Sequence, residues 1–127
     1  MNSNLRLKIF IVSIVLTLTI LRIFLFIFPS ANLNLGYYNI HHLYIGAFLI
    51  IISLTFFILG IVNKPVIIFA GISSALVLDE IVYLIATDGS DTHYNTVISL
   101  VGAVILTTTI IAFVFILHNI NKKKVRI

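Results

Sequence analysis

Long apolar runs separated by short polar breaks make up most of the chain. A bilayer-crossing helix needs about 20 predominantly apolar residues. Four runs meet that length and predict helices over about residues 7–28, 40–62, 65–86 and 95–118. Backbone groups in hydrocarbon must be paired within their own segment, and the chain lacks the alternating pattern of a membrane barrel. Helices are therefore the expected solution.

The breaks differ in kind. Phe28-Pro29-Ser30 ends the first run, because proline cannot continue the helical hydrogen-bond ladder. Residues 30–39 form a polar, Asn-rich loop with Gly36, Tyr37 and Tyr38. Asn63-Lys64-Pro65 reads as a tight turn, with Asn63 as helix cap and Pro65 in the first helical turn. Residues 87–93 form a short acidic loop containing Asp88 and Asp91. Short links favour antiparallel neighbours. The expected fold is an all-α membrane protein, with four transmembrane helices in one antiparallel bundle and a single domain over residues 1–127.

Charge placement orients that bundle. Arg6 and Lys8 accompany the start of the first run, Lys64 lies in the middle turn, and Lys122, Lys123, Lys124 and Arg126 follow the last run. The first and third connections contain no Lys or Arg, so both termini are expected in the cytoplasm. The first run is too long for a usual signal core, and Pro29-Ser30-Ala31 makes a poor cleavage site, so it is expected to be a retained anchor.

Composition agrees. Of 127 residues, 61% are hydrophobic and 9% charged, with mean hydropathy +1.21 and no cysteine. That excludes a soluble domain, a disulfide scaffold and a zinc-finger module. The net charge of +4 would otherwise raise nucleic-acid binding, but the surplus sits at span ends. The bilayer is the expected partner and nucleic acid is not. With no Trp, the interfacial aromatic belt falls to Tyr37, Tyr38, Tyr44, Tyr83 and Tyr94, all on the outer side.

Ionisable residues inside spans are costly and usually face the bundle interior. Arg22 lies six residues before the end of the first predicted helix, and Asp79 seven before the end of the third. At about 1.5 Å per residue those depths agree, which predicts an ion pair from Arg22 to Asp79 or Glu80. Gly71, Ala75, Asp79 and Tyr83 recur at spacing four, a small-residue stripe that places Asp79 on the packed face. Ser99, Gly102 and Ala103 offer a matching stripe on the last helix, and Gly46 lies one turn from His42. Thr107-Thr108-Thr109 reads as packing, and His118 as a favourable cation at a helix end.

One positive and two negative charges leave a carboxylate unpaired, which should take a proton, meet a histidine or bind a cation. His41, His42, Asp79, Glu80 and His93 are therefore the metal or proton candidates, with Arg22, Tyr83 and Asp91 supporting them. Histidines with carboxylates suit a divalent metal such as Zn, Fe or Mn. Geometry limits this reading. Adjacent helical residues point about 100° apart, so one of the two histidines is expected inward and the other toward the loop. With the second helix starting near Ile40, the histidines and the Arg–carboxylate pair form two layers joined by water.

The fragments His41-His42-Leu43 with Gly46, Leu76-Val77-Leu78-Asp79-Glu80, and Asp91 through Tyr94 with Ser99 and Gly102 carry a resemblance. Together they resemble a group of small prokaryotic four-helix membrane proteins with a His-His motif opening one span and a Leu-Asp-Glu motif in the next. The resemblance covers about residues 40–103 and implies that His42, Asp79 and Glu80 belong together; it brings no activity. Small multidrug exporters are similar in size but place their essential glutamate in the first helix, where this chain has Arg22.

There is no Walker loop, HExxH, nucleophile elbow or CxxC. The expected function is a small polytopic membrane protein with a metal- or proton-binding pocket in its outer half. Catalysis, if any, would be metal-assisted chemistry on a lipid or small periplasmic substrate. A non-catalytic accessory subunit of a membrane complex is one alternative. An ion or proton transporter, which would need to homo-oligomerise, is another.

Overall fold

A computed structural model describes residues 1–29, 31, 34–35, 38–87 and 89–124; at 34, 35, 38, 39, 91, 92 and 124 the description is of the backbone. Tyr37, Asp88, Arg126 and the side chains of Tyr38 and Asp91 thus lie outside it. The described chain is helical apart from one small antiparallel ladder. Helix α1 spans Ser3–Ile27, strands β1 and β2 span Asn34–Leu35 and Tyr38–Asn39, and α2 spans His42–Ile58. Then follow α3 at Lys64–Ala86, a single turn α4 at Asp91–Tyr94, and α5 at Val97–Lys124.

Local chemistry sets the boundaries. Asn2 caps α1, its Oδ1 accepting from the Leu5 amide at 2.8 Å, so α1 begins four residues before the apolar run suggests. Asn63 caps α3 in the same way, accepting from the Val66 amide at 3.0 Å, with Pro65 in the first turn. Asn34 pairs with Asn39 and Leu35 with Tyr38 in a two-stranded antiparallel ladder within the Asn-rich connection.

The second helix departs most from expectation. It has 17 residues and stops well short of Val62. Gly60 adopts a left-handed backbone, φ 74°, that side-chain-bearing residues disfavour. The Gly60 amide bonds to the Phe57 carbonyl at 3.0 Å and the Ile61 amide to the Phe56 carbonyl at 2.9 Å. That is a Schellman stop, which closes the helix before the apolar run ends. Three helices, α1, α3 and α5, are long and apolar enough to cross a membrane; α2 is shorter. The last helix also differs from its predicted bounds. It starts two residues late, after the α4 turn occupies part of the expected loop, and continues past His118 to Lys124. His118 is therefore not a terminal cap; its Nε2 lies 2.9 Å from Asn4 Oδ1 and ties α5 to the start of α1.

Helix α3 is the centre. α1, α2 and α5 each pack along it. Half of its apolar window is buried, against 11% for α1 and α5. Small residues make this approach close. A Cβ on Gly46 of α2 would lie 2.8 Å from Leu76 Cβ and from the Ser73 carbonyl oxygen. A Cβ on Gly71 would lie 2.6 Å from Ser13 Cβ of α1, and one on Gly102 of α5 would collide with Val82. Ser13, Ser53 and Ser73 are buried, and each returns its hydroxyl proton to the carbonyl four residues back. Thr107 Oγ1 is buried with no partner among the described residues. The opposite faces stay apolar, with Ile20, Phe26, Ile58 and Val97 exposed.

Candidate functional site

Arg22, Asp79 and Glu80, the charged side chains deepest in the apolar runs, lie at one end of the molecule, where α1 and α3 finish and α2 begins. Asp79 and Glu80 are consecutive on α3 and both are buried. On the opposing element, His41 is the N-cap of α2 and His42 its first residue. The two adjacent pairs interlock.

Arg22 enters from α1. Its Nε donates to Asp79 Oδ1 at 2.5 Å. Nη1 donates to the Tyr94 carbonyl at 3.0 Å and to Ser99 Oγ at 3.2 Å. Nη2 reaches the Asp79 carbonyl and Ser99 Oγ, each at 3.2 Å, and the Ser99 carbonyl at 3.4 Å. Its guanidinium carbon also stands 4.3 Å from the centre of the Tyr94 ring. A guanidinium presents five N–H groups in a fixed fork, and every nitrogen here has an acceptor. One cation thus joins α1, α3, α4 and α5.

The remaining oxygen of Asp79, Oδ2, accepts from the Tyr94 hydroxyl and lies 3.0 Å from His42 Nε2. Burial first, and then the charge of Asp79, pushes the Tyr94 phenol well above the ordinary tyrosine value. Tyr94 is held as a neutral donor. Its ring also packs edge-on against Tyr83 at 5.3 Å and His42 at 5.7 Å.

Glu80 faces both histidines. Its Oε1 lies 2.6 Å from His41 Nδ1. Its Oε2 accepts the Leu43 backbone amide at 2.6 Å and lies 3.3 Å from His42 Nδ1. The Leu43 amide is one of the free donors at the start of α2, so the helix N-terminus itself holds the carboxylate. His42 consequently has a carboxylate at each ring nitrogen.

This corrects the two-layer expectation. His42 touches Asp79 directly, and neither histidine is turned toward the loop. The reason is the axis separation. With no side chain at Gly46, α2 lies against α3 one turn from the histidines, and both rings reach the carboxylates. His93 is placed differently from the expectation that grouped it with these residues. It is exposed in the α4 turn, with Nδ1 3.0 Å from Ser90 Oγ. Tyr83 is buried beside the cluster, 6.3 Å between its ring centre and that of His41.

Sequence reasoning passed over three partners. From the sequence, Tyr94 reads as an interfacial aromatic and Ser99 as a packing residue, and the Leu43 amide carries no signal. Counting the donors of a buried arginine was the available signal, since five N–H groups require more acceptors than one carboxylate supplies.

Among the described residues no group of three or more His, Asp or Glu side chains is disposed to hold a metal ion. The lone pairs explain this. Every oxygen of Asp79 and Glu80 is already opposed by a donor at hydrogen-bonding distance.

A cavity of about 180 Å³ adjoins the cluster between α1 and α2. His41, His42, Glu80 and Tyr83 form its polar side, and Leu21, Phe24 and Ile45 are among its apolar walls. No family model, curated protein or solved structure matches the chain.

Proposed function

We propose that this is a small multi-pass membrane protein whose buried cluster holds one exchangeable proton. The observation that carries the reading is His42 between two carboxylates, 3.0 Å from Asp79 and 3.3 Å from Glu80. Imidazole offers a donor at both nitrogens only as imidazolium. With that proton, the positive charges of Arg22 and His42 balance Asp79 and Glu80. Without it, the buried cluster is left with a net negative charge, which a low-dielectric surrounding disfavours.

The cluster divides in two on this reading. Arg22, Asp79, Tyr94 and Ser99 form a fixed lock. Glu80, His41 and His42 form the exchanging half, which borders the cavity. The juxtaposition also supports grouping the His-His and Leu-Asp-Glu motifs as one site, as the family resemblance implies. The cavity borders the histidine half of the cluster, which supports exchange from that end.

All four helices are inserted antiparallel, with the lysine-rich end and both termini in the cytoplasm and α2 as a short span. Contacts at both ends of α1 and α5 support this arrangement: Asn4 with His118, and Arg22 with Ser99. A 17-residue helix lies at the lower limit for crossing.

The test is ¹⁵N NMR of histidine-labelled protein in lipid nanodiscs, with metal analysis of the same sample. His42 is expected as imidazolium in the wild type and as neutral imidazole in Glu80→Gln, which removes the second negative charge. A neutral His42 in the wild type, or a stoichiometric metal bound through His42, would overturn the proposal.

A further inference from the structure

The cavity beside the cluster has features that proton holding does not require. It lies between α1 and α2, and its walls include Leu21, Phe24 and Leu25 from α1 with Ile40 just before α2 and Ile45 in its first turn. Its volume of about 180 Å³ compares with the ~150 Å³ apolar cavity that accepts one benzene ring. The space therefore suits a single six-membered ring, with a lipophilic tail continuing between two apolar helices.

One group on the polar side has unused capacity. His41 lines the cavity and gives Nδ1 to Glu80 Oε1 at 2.6 Å. Against an ionised carboxylate Nδ1 carries the proton, which leaves Nε2 as an acceptor. Nε2 makes no hydrogen bond among the described residues. The carboxylate behind the ring fixes both its tautomer and its orientation, as in other carboxylate–imidazole pairs.

Charge decides what an occupant may carry. Arg22 has every nitrogen engaged within the cluster, so no free cation faces the cavity from α1. Glu80, also on the lining, is negative. An anionic head such as a phosphate or carboxylate is disfavoured, and a neutral hydroxyl donor is matched.

We infer that the cavity binds a ring-hydroxylated lipophile, of the phenol or hydroquinone class. The ring fills the space, the hydroxyl donates to His41 Nε2, and the tail leaves between α1 and α2. This rests on the Glu80–His41 pair and not on the proton state of His42, so the two proposals can fail separately.

The experiment compares para-hexylphenol with its methyl ether, para-hexylanisole, on protein in nanodiscs against empty nanodiscs. The ether has the same ring and tail and no donor. The phenol is expected to bind about tenfold more tightly than the ether, the size of one well-made hydrogen bond. It is also expected to shift the ¹⁵N resonance of His41 Nε2. Ile45→Trp fills the cavity with apolar volume and should abolish retention; Leu25→Phe, a smaller change from the opposite wall, should weaken it if the first variant does not fold. Equal retention of phenol and ether would overturn the inference, as would no retention above empty nanodiscs. So would phenol binding that neither cavity-filling variant reduces.

Discussion

Arg22 and Asp79, fifty-seven residues apart in the chain, meet through Nε and Oδ1 at 2.5 Å in the interior of the molecule. The contact is one member of a saturated set. The same guanidinium binds three backbone carbonyls and the Ser99 hydroxyl and lies on the Tyr94 ring. A pair so completely hydrogen-bonded sets the register of α1 and α5 against α3.

Arg22→Ala should therefore be severely destabilising, by about 3–5 kcal/mol, because it leaves Asp79 buried without its cation. Asp79→Asn in the same chain should recover part of that loss by removing the orphaned charge. Arg22→Lys should not rescue, since an ammonium cannot reproduce a planar fork with acceptors on several helices. Thermal unfolding in detergent of the single and double variants checks this. Equal stability of Arg22→Lys and wild type would show that the fork geometry is unimportant.

Tyr94 supplies a prediction with a definite sign. Its phenol is raised above the ordinary value of 10.0 by burial and by the neighbouring Asp79 charge. The unfolded chain thus releases this proton at lower pH than the folded one. Stability from the neutral hydroxyl is fully present below about pH 10 and is lost progressively as pH rises beyond it. Tyr94→Phe should lower stability by about 1.5–3 kcal/mol at neutral pH, the range for a hydrogen bond to a charged group. It should also flatten the alkaline fall relative to wild type. Parallel alkaline slopes for the two proteins would contradict this account.

Much of this arrangement can be read from the chain, and the failures have physical causes. Arg22, Asp79 and Glu80 stand out because a charge inside an apolar run has few affordable surroundings, and equal depth on two helices suggests that they meet. The small stripe of Gly71 and Ala75 marks the packed face of α3 for the same kind of reason. What periodicity leaves hidden is fine placement. Gly60 lies in an apolar run whose hydropathy continues past it, so only its backbone conformation reveals that α2 stops there. Tyr94 and Ser99 are chemically ordinary residues whose role depends on where Arg22 delivers its donors. His41 and His42 look like a layer outside Asp79 when the second helix is placed as starting near Ile40. They are close because one contact residue has no side chain.

That residue, Gly46, is the most economical place to test how the site is assembled. It sends no side chain into the cluster, yet a Cβ there would come within 2.8 Å of Leu76 Cβ and the Ser73 carbonyl oxygen. The carbonyl belongs to the α3 backbone and cannot swing aside, so α2 must shift outward to admit a larger residue. Gly46→Val should cost about 1–3 kcal/mol, as overpacking of a tight contact does. The more specific consequence is chemical. An outward shift lengthens His41–Glu80 and His42–Asp79 together and leaves Arg22–Asp79 in place, because α1 approaches α3 from elsewhere through Gly71. Gly46→Val should therefore lose the His42 imidazolium signal while keeping the stability contributed by Arg22, measured as the unchanged cost of adding Arg22→Ala. Retention of the imidazolium signal in a folded Gly46→Val protein would show that close α2–α3 packing is not what brings the histidines to the carboxylates.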